Sequence, residues 1–315
     1  MEGFLRDISK AFLSCGRENL HHIVGETIPP SGEGADPPSG DSPLEKAPFP
    51  PDQVKQVGDF LARQGLRMDR LDRFLVGWID APESMFQRLL QQGFSEQQIR
   101  QSRLLADRRL AGRLVGPIQT ASREIVSLWA RSISRSSDTA SYLYWRPDWK
   151  TNVPVVWLPT ALAHGGRKKG LLVVEDILEA LMLQMQAFWR TVALGESGQP
   201  ITPKRLAQFA QLRISGLIFV LNQTPDALQR LQKLREAFER GPWTFRLWFL
   251  PPQELGPYFS PGQLVREEGA EAFRDLLARK AIAVEKCIPA DPIPPSFGKI
   301  CPLHHCLETE CFCFD

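Results

Sequence analysis

The stretch that decides the fold is 170-GLLVVEDILEALMLQM-185, in which a short apolar run ends in carboxylates and a helical pattern follows at once. An uninterrupted apolar run of this length is typical of a strand buried on both faces of a parallel sheet. The carboxylates are Glu175 and Asp176, and Glu179 follows one helical turn after Glu175. Acidic side chains stabilise a helix N-terminus, but they are also ligands for divalent cations. The stretch alone leaves both interpretations open.

Strand-like and helical patterns alternate from Gly170 onward. The strand-like runs are LLVV, SGLIFVLN and FRLWFL, and the helical runs are EDILEALMLQMQAFWRTV, PKRLAQFAQLR and PDALQRLQKLREAFERG, with a last helix in EEGAEAFRDLLARKAIAVEK. This alternation predicts an α/β fold whose parallel sheet is covered by helices on both faces. Ligands of such folds bind at the carboxyl ends of the strands, which here are Glu175–Asp176, Asn222–Thr224 and Leu250–Pro252.

The part of the chain before Gly170 predicts helices first and short strands later. Between Pro51 and Ile99 the pattern is helical, and Ser95 with Gln98 forms a candidate capping box. Further along, the short runs LVGPI, EIVSLWARSI, SYLYW and VPVVWL are rich in aromatic and β-branched residues. Such runs, separated by turn residues, predict a mixed or antiparallel sheet.

The overall charge does not indicate a class of binding partner, because 38 Lys and Arg residues face 36 Asp and Glu residues. Basic residues are nevertheless concentrated in one segment, at Arg100, Arg103, Arg108, Arg109, Arg113, Arg123, Arg131 and Arg135. This concentration predicts either a basic binding face or an ordinary solvated surface.

Cysteine usage and hydropathy favour a cytoplasmic protein. No apolar run approaches the roughly 20 residues that a membrane-spanning helix needs, and the first residues lack the apolar core of a secretory signal. Five of the six cysteines follow Lys286. This distribution is typical of a reduced protein with a cysteine-bearing tail, rather than of a disulfide-stapled secreted domain.

The order of these segments resembles the catalytic core of bacterial DnaG-type DNA primases, including its Toprim domain. The resemblance extends from about Leu75 to about Ala283 and is carried by QRLLQQGFSEQQIRQSRLL, GRLVGPIQTASREIVSLWARSI, SYLYW, LLVVEDILEAL, GLIFVLNQTPDA and LPPQELGPYFSPGQLVREEGAEAFRDLLARKA. It implies a Toprim-type parallel sheet with flanking helices, preceded by a small mixed α+β subdomain. The expected segments are an N-terminal helix (1–27), a Pro/Gly-rich linker (28–52), a helical entry with the core's N-terminal subdomain (53–169), a Toprim-like domain (170–260), a C-terminal helix (261–286) and a Cys/His-bearing tail (287–315).

The acidic residues depart from the family pattern. In the family, a glutamate at the end of the first Toprim strand acts with an Asp-x-Asp pair to hold Mg²⁺ for phosphoryl transfer. Glu175 matches the glutamate, but the pair is replaced by Asn222-Gln223-Thr224, whose neutral oxygens are weak ligands for a hard dication. The resemblance therefore implies a degraded site. Its candidate catalytic residues are Glu175 and Glu179, and its candidate Mg²⁺ ligands are Glu175, Asp176 and Glu254.

The basic residues match the family in part. Arg113 and Arg131 stand where the family has two arginines that contact template or nucleotide, while two further basic positions of the family are neutral here. Lys168 and Lys169, just before the first Toprim-like strand, fit a phosphate-facing loop or a solvated turn. The resemblance thus implies nucleic-acid binding through Arg113, Arg131, Lys168 and Lys169.

The two ends of the chain carry separate hypotheses. The tail contains thiolate and imidazole ligands for Zn²⁺, at Cys301, Cys306, Cys311 and Cys313 with His304 and His305, although their spacing matches no standard finger. The alternative is a tail that holds no metal. The N-terminal helix either binds a replication protein through Phe4, Leu5, Phe12 and Leu13 or packs back onto its own domain.

Taken together, these features predict a primase-like Toprim protein that binds single-stranded DNA and has lost most of its catalytic acids. It would act in DNA replication or a related DNA transaction. One alternative is an active, divergent, metal-dependent primase or nucleotidyltransferase. Another is a Toprim-type nuclease or a non-enzymatic scaffold that binds partners.

Overall fold

The computed structural model describes residues 2–25, 51–133, 142–164, 170–198 and 201–284. Its helices are α1 (Glu2–Gly25), α2 (Pro51–Arg63), α3 (Met68–Leu71), α4 (Pro82–Gln91), α5 (Glu96–Ser102), α6 (Leu158–Ala163), α7 (Ile177–Met185), α8 (Pro203–Gln211), α9 (Ala227–Arg240), α10 (Pro261–Glu268) and α11 (Ala270–Lys280). Its strands are β1 (Gly77–Ile79), β2 (Arg113–Gln119), β3 (Ile125–Ser132), β4 (Tyr142–Tyr144), β5 (Leu171–Asp176), β6 (Thr191–Gly195), β7 (Gly216–Val220), β8 (Arg246–Leu250) and β9 (Ile282–Ala283). The described residues form two compact units: the first comprises those of Met1–Pro117 and Ser127–Arg146, and the second those of Ile118–Val126 and Pro147–Asp315.

The first unit contains a four-stranded sheet with the order β1-β2-β3-β4, in which β1 pairs with β2 and β3 pairs with β4 in antiparallel fashion. The predicted mixed subdomain is therefore present. Helix α1 packs against β1 and α4, and its residues Ile8, Phe12 and Leu13 are buried. Of the two predictions for the N-terminal helix, packing onto its own unit is the one observed, so Phe12 and Leu13 are not available to a partner.

The second unit contains a five-stranded sheet with the order β6-β5-β7-β8-β9. Strands β6, β5, β7 and β8 run parallel to one another, and β9 adds an antiparallel edge. The apolar run of β5 is fully buried because it lies inside the sheet between β6 and β7, with Val173, Phe219 and Leu247 among the core residues. The predicted α/β class with a parallel sheet is confirmed.

The long helix predicted after Asp176 is wrong in its second half. Helix α7 ends at Met185, Ala187 adopts a left-handed φ of 68°, and β6 follows at Thr191–Gly195. Because α7 and β6 are both completely buried, neither shows an amphipathic period that would separate a helix from a strand. The sequence pattern therefore merged two elements into one.

The single helix predicted for residues 261–286 is also divided. Helices α10 and α11 are separated at Gly269, whose φ of 90° is a conformation that favours glycine. The chain then forms β9 along β8. Of the predicted strand VPVVWL, only Val156 makes a bridge, to Ala193, before α6 begins.

The second unit comprises the described residues of Ile118–Val126 and those from Pro147 onward, so it includes part of the segment predicted as 53–169. It also includes α10 and α11, since α10 packs on α7. Within the described ranges, none of the helices has both the length and the apolar character required to cross a lipid bilayer.

Candidate functional site

The site is centred on Glu175, at the carboxyl end of β5, where the ends of β6 and β7 also lie. The side chain of Glu175 is fully buried. Its Oε1 accepts a hydrogen bond from the backbone N–H of Gly198 (2.8 Å), and its Oε2 accepts one from the backbone N–H of Asn222 (2.7 Å). Three neighbouring strand ends thus converge on one carboxylate, as parallel topology requires.

Arg230 of α9 is the residue that the sequence interpretation missed. Its guanidinium forms an ion pair with Oε1 of Glu175, while its Nη2 lies 3.5 Å from Oε2. Nη2 also donates to Oγ1 of Thr224 (2.8 Å), and Nε lies 3.0 Å from Oδ2 of Asp226. The available signal in the sequence was the spacing of Asp226 and Arg230, four residues apart at the start of a helix that follows a strand end.

Asn222 and Thr224, which the resemblance places at the positions of the family's paired aspartates, both join this network. Nδ2 of Asn222 donates to Oγ of Ser197 (2.6 Å), whereas its buried Oδ1 has no hydrogen-bond partner among the residues that the structure describes. Oγ1 of Thr224 donates to Oδ1 of Asp226 (2.7 Å). This hydrogen bond, and then the charge of Arg230, lower the pKa of Asp226. We call Glu175, Asn222, Thr224, Asp226 and Arg230 the Glu175 cluster.

Asp176 serves as the N-cap of α7. Its Oδ1 accepts hydrogen bonds from the backbone N–H groups of Leu178 (2.8 Å) and Glu179 (3.2 Å). These are two of the donors that a helix N-terminus leaves without intrahelical partners. Asp176 therefore stabilises a helix N-terminus, which is the first of the two interpretations of the acidic junction.

Glu179 points toward the N-terminus of α10 and lies outside the network around Arg230. Its Oε1 accepts a hydrogen bond from the backbone N–H of Gly262 (2.7 Å). Burial raises the pKa of Glu179 to about 7, an effect that Ser260 and Gly262 oppose and that the negative charges of Asp176 and Glu175 reinforce. The carboxyl group of Glu179 therefore joins α7 to α10.

Glu254 lies in the turn Pro252–Leu255 that follows β8, and its carboxylate pairs with Nζ of Lys280 at 3.3 Å. In the part of the chain that the structure describes, no group of three or more His, Cys, Asp or Glu side chains is placed to hold a metal ion. Magnesium binding by Glu175, Asp176 and Glu254 remains a prediction, and so do the catalytic roles of Glu175 and Glu179.

The two predicted arginines lie in the sheet of the first unit. Arg113 is only 3% exposed, its Nε donates to the backbone oxygen of Arg109 (2.6 Å), and burial followed by the charge of Arg109 lowers its pKa. Arg131 is half-buried, and its guanidinium lies 4.6 Å from the ring centre of Tyr142, its cross-strand neighbour. Arg131 is thus the more accessible of the two.

Six predicted site residues lie outside the described ranges: Lys168, Lys169, Cys301, Cys306, Cys311 and Cys313. The phosphate-facing loop and the Zn²⁺ site therefore remain predictions, as does the linker at residues 28–52, of which only Pro51 and Asp52 are described.

The chain matches no family model and no curated protein. It is similar to several solved structures. The structure of the DnaG catalytic core has 17% sequence identity and a TM-score of 0.63, over 89% of this chain and 80% of that one. The RNA polymerase domain of Mycobacterium tuberculosis primase DnaG, in complex with a double-stranded DNA oligomer with a 6-nucleotide overhang, has 17% identity and a TM-score of 0.61, over 90% and 82%.

A third similar structure is the DnaG primase catalytic domain bound to ssDNA, with 19% identity and a TM-score of 0.59, over 86% of this chain and 81% of that one. Identities this low establish the fold and not the activity. The fold is that of the catalytic core of bacterial DnaG-type primases, as the resemblance in the sequence predicted.

Proposed function

We propose that this chain is a primase-like protein that binds single-stranded DNA and no longer transfers nucleotides. The observation that carries the binding proposal is the fold, which is shared with primase domains whose structures contain single-stranded or partly double-stranded DNA. Its cellular role would be DNA replication or a related DNA transaction.

Arg131 is the best described candidate for contact with the nucleic acid. A guanidinium stacked on an aromatic ring is held in one orientation, yet it keeps N–H donors for a phosphate oxygen. Arg131 is positioned in this way by Tyr142. Arg113 lies deeper and donates to the backbone, so its side chain supports the strand that carries it.

The proposed loss of catalysis rests on the donor set of the acidic site. Divalent magnesium requires several anionic oxygens that are available for coordination. Both oxygens of Glu175 instead accept backbone hydrogen bonds and face Arg230. Asp176 caps α7, and Glu254 pairs with Lys280. These residues therefore fit Mg²⁺ poorly.

Binding can be measured by fluorescence anisotropy with a labelled single-stranded oligonucleotide. We expect Arg131→Ala to weaken binding several-fold. It should also reduce the slope of the logarithm of the binding constant against the logarithm of the salt concentration by about one, the contribution of one phosphate contact. The control is Arg235→Ala, because Arg235 is an exposed arginine paired with Glu239 on α9. Equal affinities for wild type, Arg131→Ala and the control would contradict the role of Arg131, and absence of binding by wild type would contradict the proposal itself.

Catalysis can be tested with a single-stranded template, nucleotides and either Mg²⁺ or Mn²⁺. We expect no primer synthesis and no cleavage of the template. Products that form with wild type and disappear with Glu175→Gln would show that the site is active, in favour of a divergent primase or a nuclease.

A further inference from the structure

The Glu175 cluster compensates the charge of a buried carboxylate. An ionised carboxylate that is removed from water requires compensation by donors or by an opposite charge. Glu175 is fully buried and receives two backbone N–H groups, but these carry no net charge. The opposite charge comes from Arg230, whose side chain is itself only 11% exposed.

The position of Arg230 is set by several contacts that act together. In the loop that leads into α9, Oγ1 of Thr224 accepts a hydrogen bond from Nη2 (2.8 Å), and the carboxylate of Asp226 forms an ion pair with Arg230, with Oδ2 3.0 Å from Nε. Asp226 stands one helical turn before Arg230, so the helix itself brings the two side chains to the same face. The guanidinium is therefore held between two carboxylates that come from the carboxyl end of β5 and the loop after β7.

We propose that Arg230 takes the place of a divalent cation as the counter-ion of Glu175, and that the Glu175 cluster is a latent cation site closed by this one side chain. The inference rests on the proposed loss of catalysis. A guanidinium in hydrogen-bonding contact with Glu175 excludes a cation both by its volume and by its charge. Once it is removed, the carboxylates of Glu175 and Asp226, which both contact it, border the same space. These are hard oxygen ligands of the kind that Mg²⁺ and Mn²⁺ take.

Thermal melting of the full chain tests the inference, in metal-free buffer and with added Mn²⁺. We expect the wild-type melting midpoint not to respond to Mn²⁺. Arg230→Met should melt lower by roughly 10 °C in metal-free buffer, the size expected when one partner of a buried ion pair is removed. Mn²⁺ should then raise its midpoint, because the cation restores the missing charge.

Two matched variants separate charge from packing. The double variant Glu175→Gln/Arg230→Met removes both charges, so it should be more stable than Arg230→Met in metal-free buffer and should not respond to Mn²⁺. Arg230→Lys keeps the charge but loses the forked donors, so it should melt between wild type and Arg230→Met and also not respond to Mn²⁺.

Three results would overturn the inference. The first is that Mn²⁺ raises the melting midpoint of the wild type but not that of Glu175→Gln. The second is a double variant that is no more stable than Arg230→Met, including the case in which neither folds. The third is a folded Arg230→Met that does not respond to Mn²⁺. None of these readouts involves DNA or nucleotides, so they fail or succeed separately from the binding and synthesis experiments that test the proposed function.

Discussion

At the scale of single residues, the carboxylates of one strand-to-helix junction have three different tasks. Glu175 is the centre of a buried ion pair, Asp176 caps a helix, and Glu179 links α7 to α10. They are neighbours along the chain, yet each faces a different environment because a strand alternates its side chains and a helix rotates them by about 100° per residue. The chemistry of each carboxylate follows from what it faces.

The protonation of Glu179 predicts a dependence of stability on pH. Its pKa is about 7 in the folded chain, against an ordinary value of 4.5. Between pH 4.5 and about 7, the carboxyl group of Glu179 is therefore protonated in the folded state and ionised in the unfolded state. We expect the free energy of unfolding to be largest below pH 4.5 as far as Glu179 contributes, and to fall by on the order of 3 kcal/mol as the pH rises to about 7.

Denaturant unfolding at a series of pH values measures this effect. Glu179→Gln keeps the hydrogen bond to Gly262 without an ionisable proton, so it should remove this part of the pH dependence. The control is Glu267→Gln on the exposed side of α10, which should leave the pH dependence unchanged. A wild-type curve identical to that of Glu179→Gln would show that Glu179 does not titrate in this range.

At the scale of elements, the first unit depends on a close approach between α1 and β1. Gly77 of β1 lies against the backbone of α1 at Gly16 and Arg17. A methyl group on Gly77 would lie 2.6 Å from the backbone nitrogen of Arg17 and closer still to the carbonyl carbon of Gly16. Backbone atoms cannot move aside as a flexible side chain can, so this contact fixes the distance between helix and sheet.

Gly77→Ala is accordingly expected to reduce the free energy of unfolding by about 1–3 kcal/mol, because it forces α1 away from the sheet. Gly58→Ala is the matched control, since a methyl group at Gly58 of α2 meets no atom within 4 Å. In a helix, that change should stabilise by roughly 0.5–1 kcal/mol. Urea unfolding of the full chain compares the two, and equal effects would contradict the close packing of α1 on β1.

At the scale of the whole molecule, the two candidate arginines that the structure describes and the acidic residues belong to different units. Arg131 lies in the first unit and the Glu175 cluster in the second. Arg230 neutralises the charge of Glu175 within the protein. A dication is therefore not needed to reduce the repulsion between this carboxylate and the phosphates of a nucleic acid. Nucleic-acid affinity should then depend on monovalent salt through released counter-ions.

We therefore expect the affinity for a single-stranded oligonucleotide to be the same in EDTA and in Mg²⁺ when the ionic strength is matched. The logarithm of the binding constant should fall linearly with the logarithm of the salt concentration. Anisotropy titrations in both buffers measure this. A several-fold loss of affinity in EDTA would mean that a bound dication takes part in binding.

Much of the fold was predictable because local patterns and topology agree. Strands β5, β7 and β8 were predicted from their uninterrupted apolar runs, and helices α8 and α9 from their helical patterns. The predicted capping box of Ser95 and Gln98 is also present. The parallel order then placed the strand ends together. The β6 strand was missed because its complete burial removes the alternation of polar and apolar residues that predicts a strand. The break at Gly269 was missed because a single glycine is a weak signal for the end of a helix.

The sequence by itself determined the class of fold and the resemblance to primase cores, which implies that Asn222 and Thr224 replace the paired aspartates. Only the tertiary structure decided what balances Glu175. Arg230 is 55 residues away along the chain, and no local pattern links the two. They meet because parallel strands deliver their ends to one edge of the sheet, where α9 begins. A buried charge must be neutralised within its own surroundings, and those surroundings exist only once the sheet has formed.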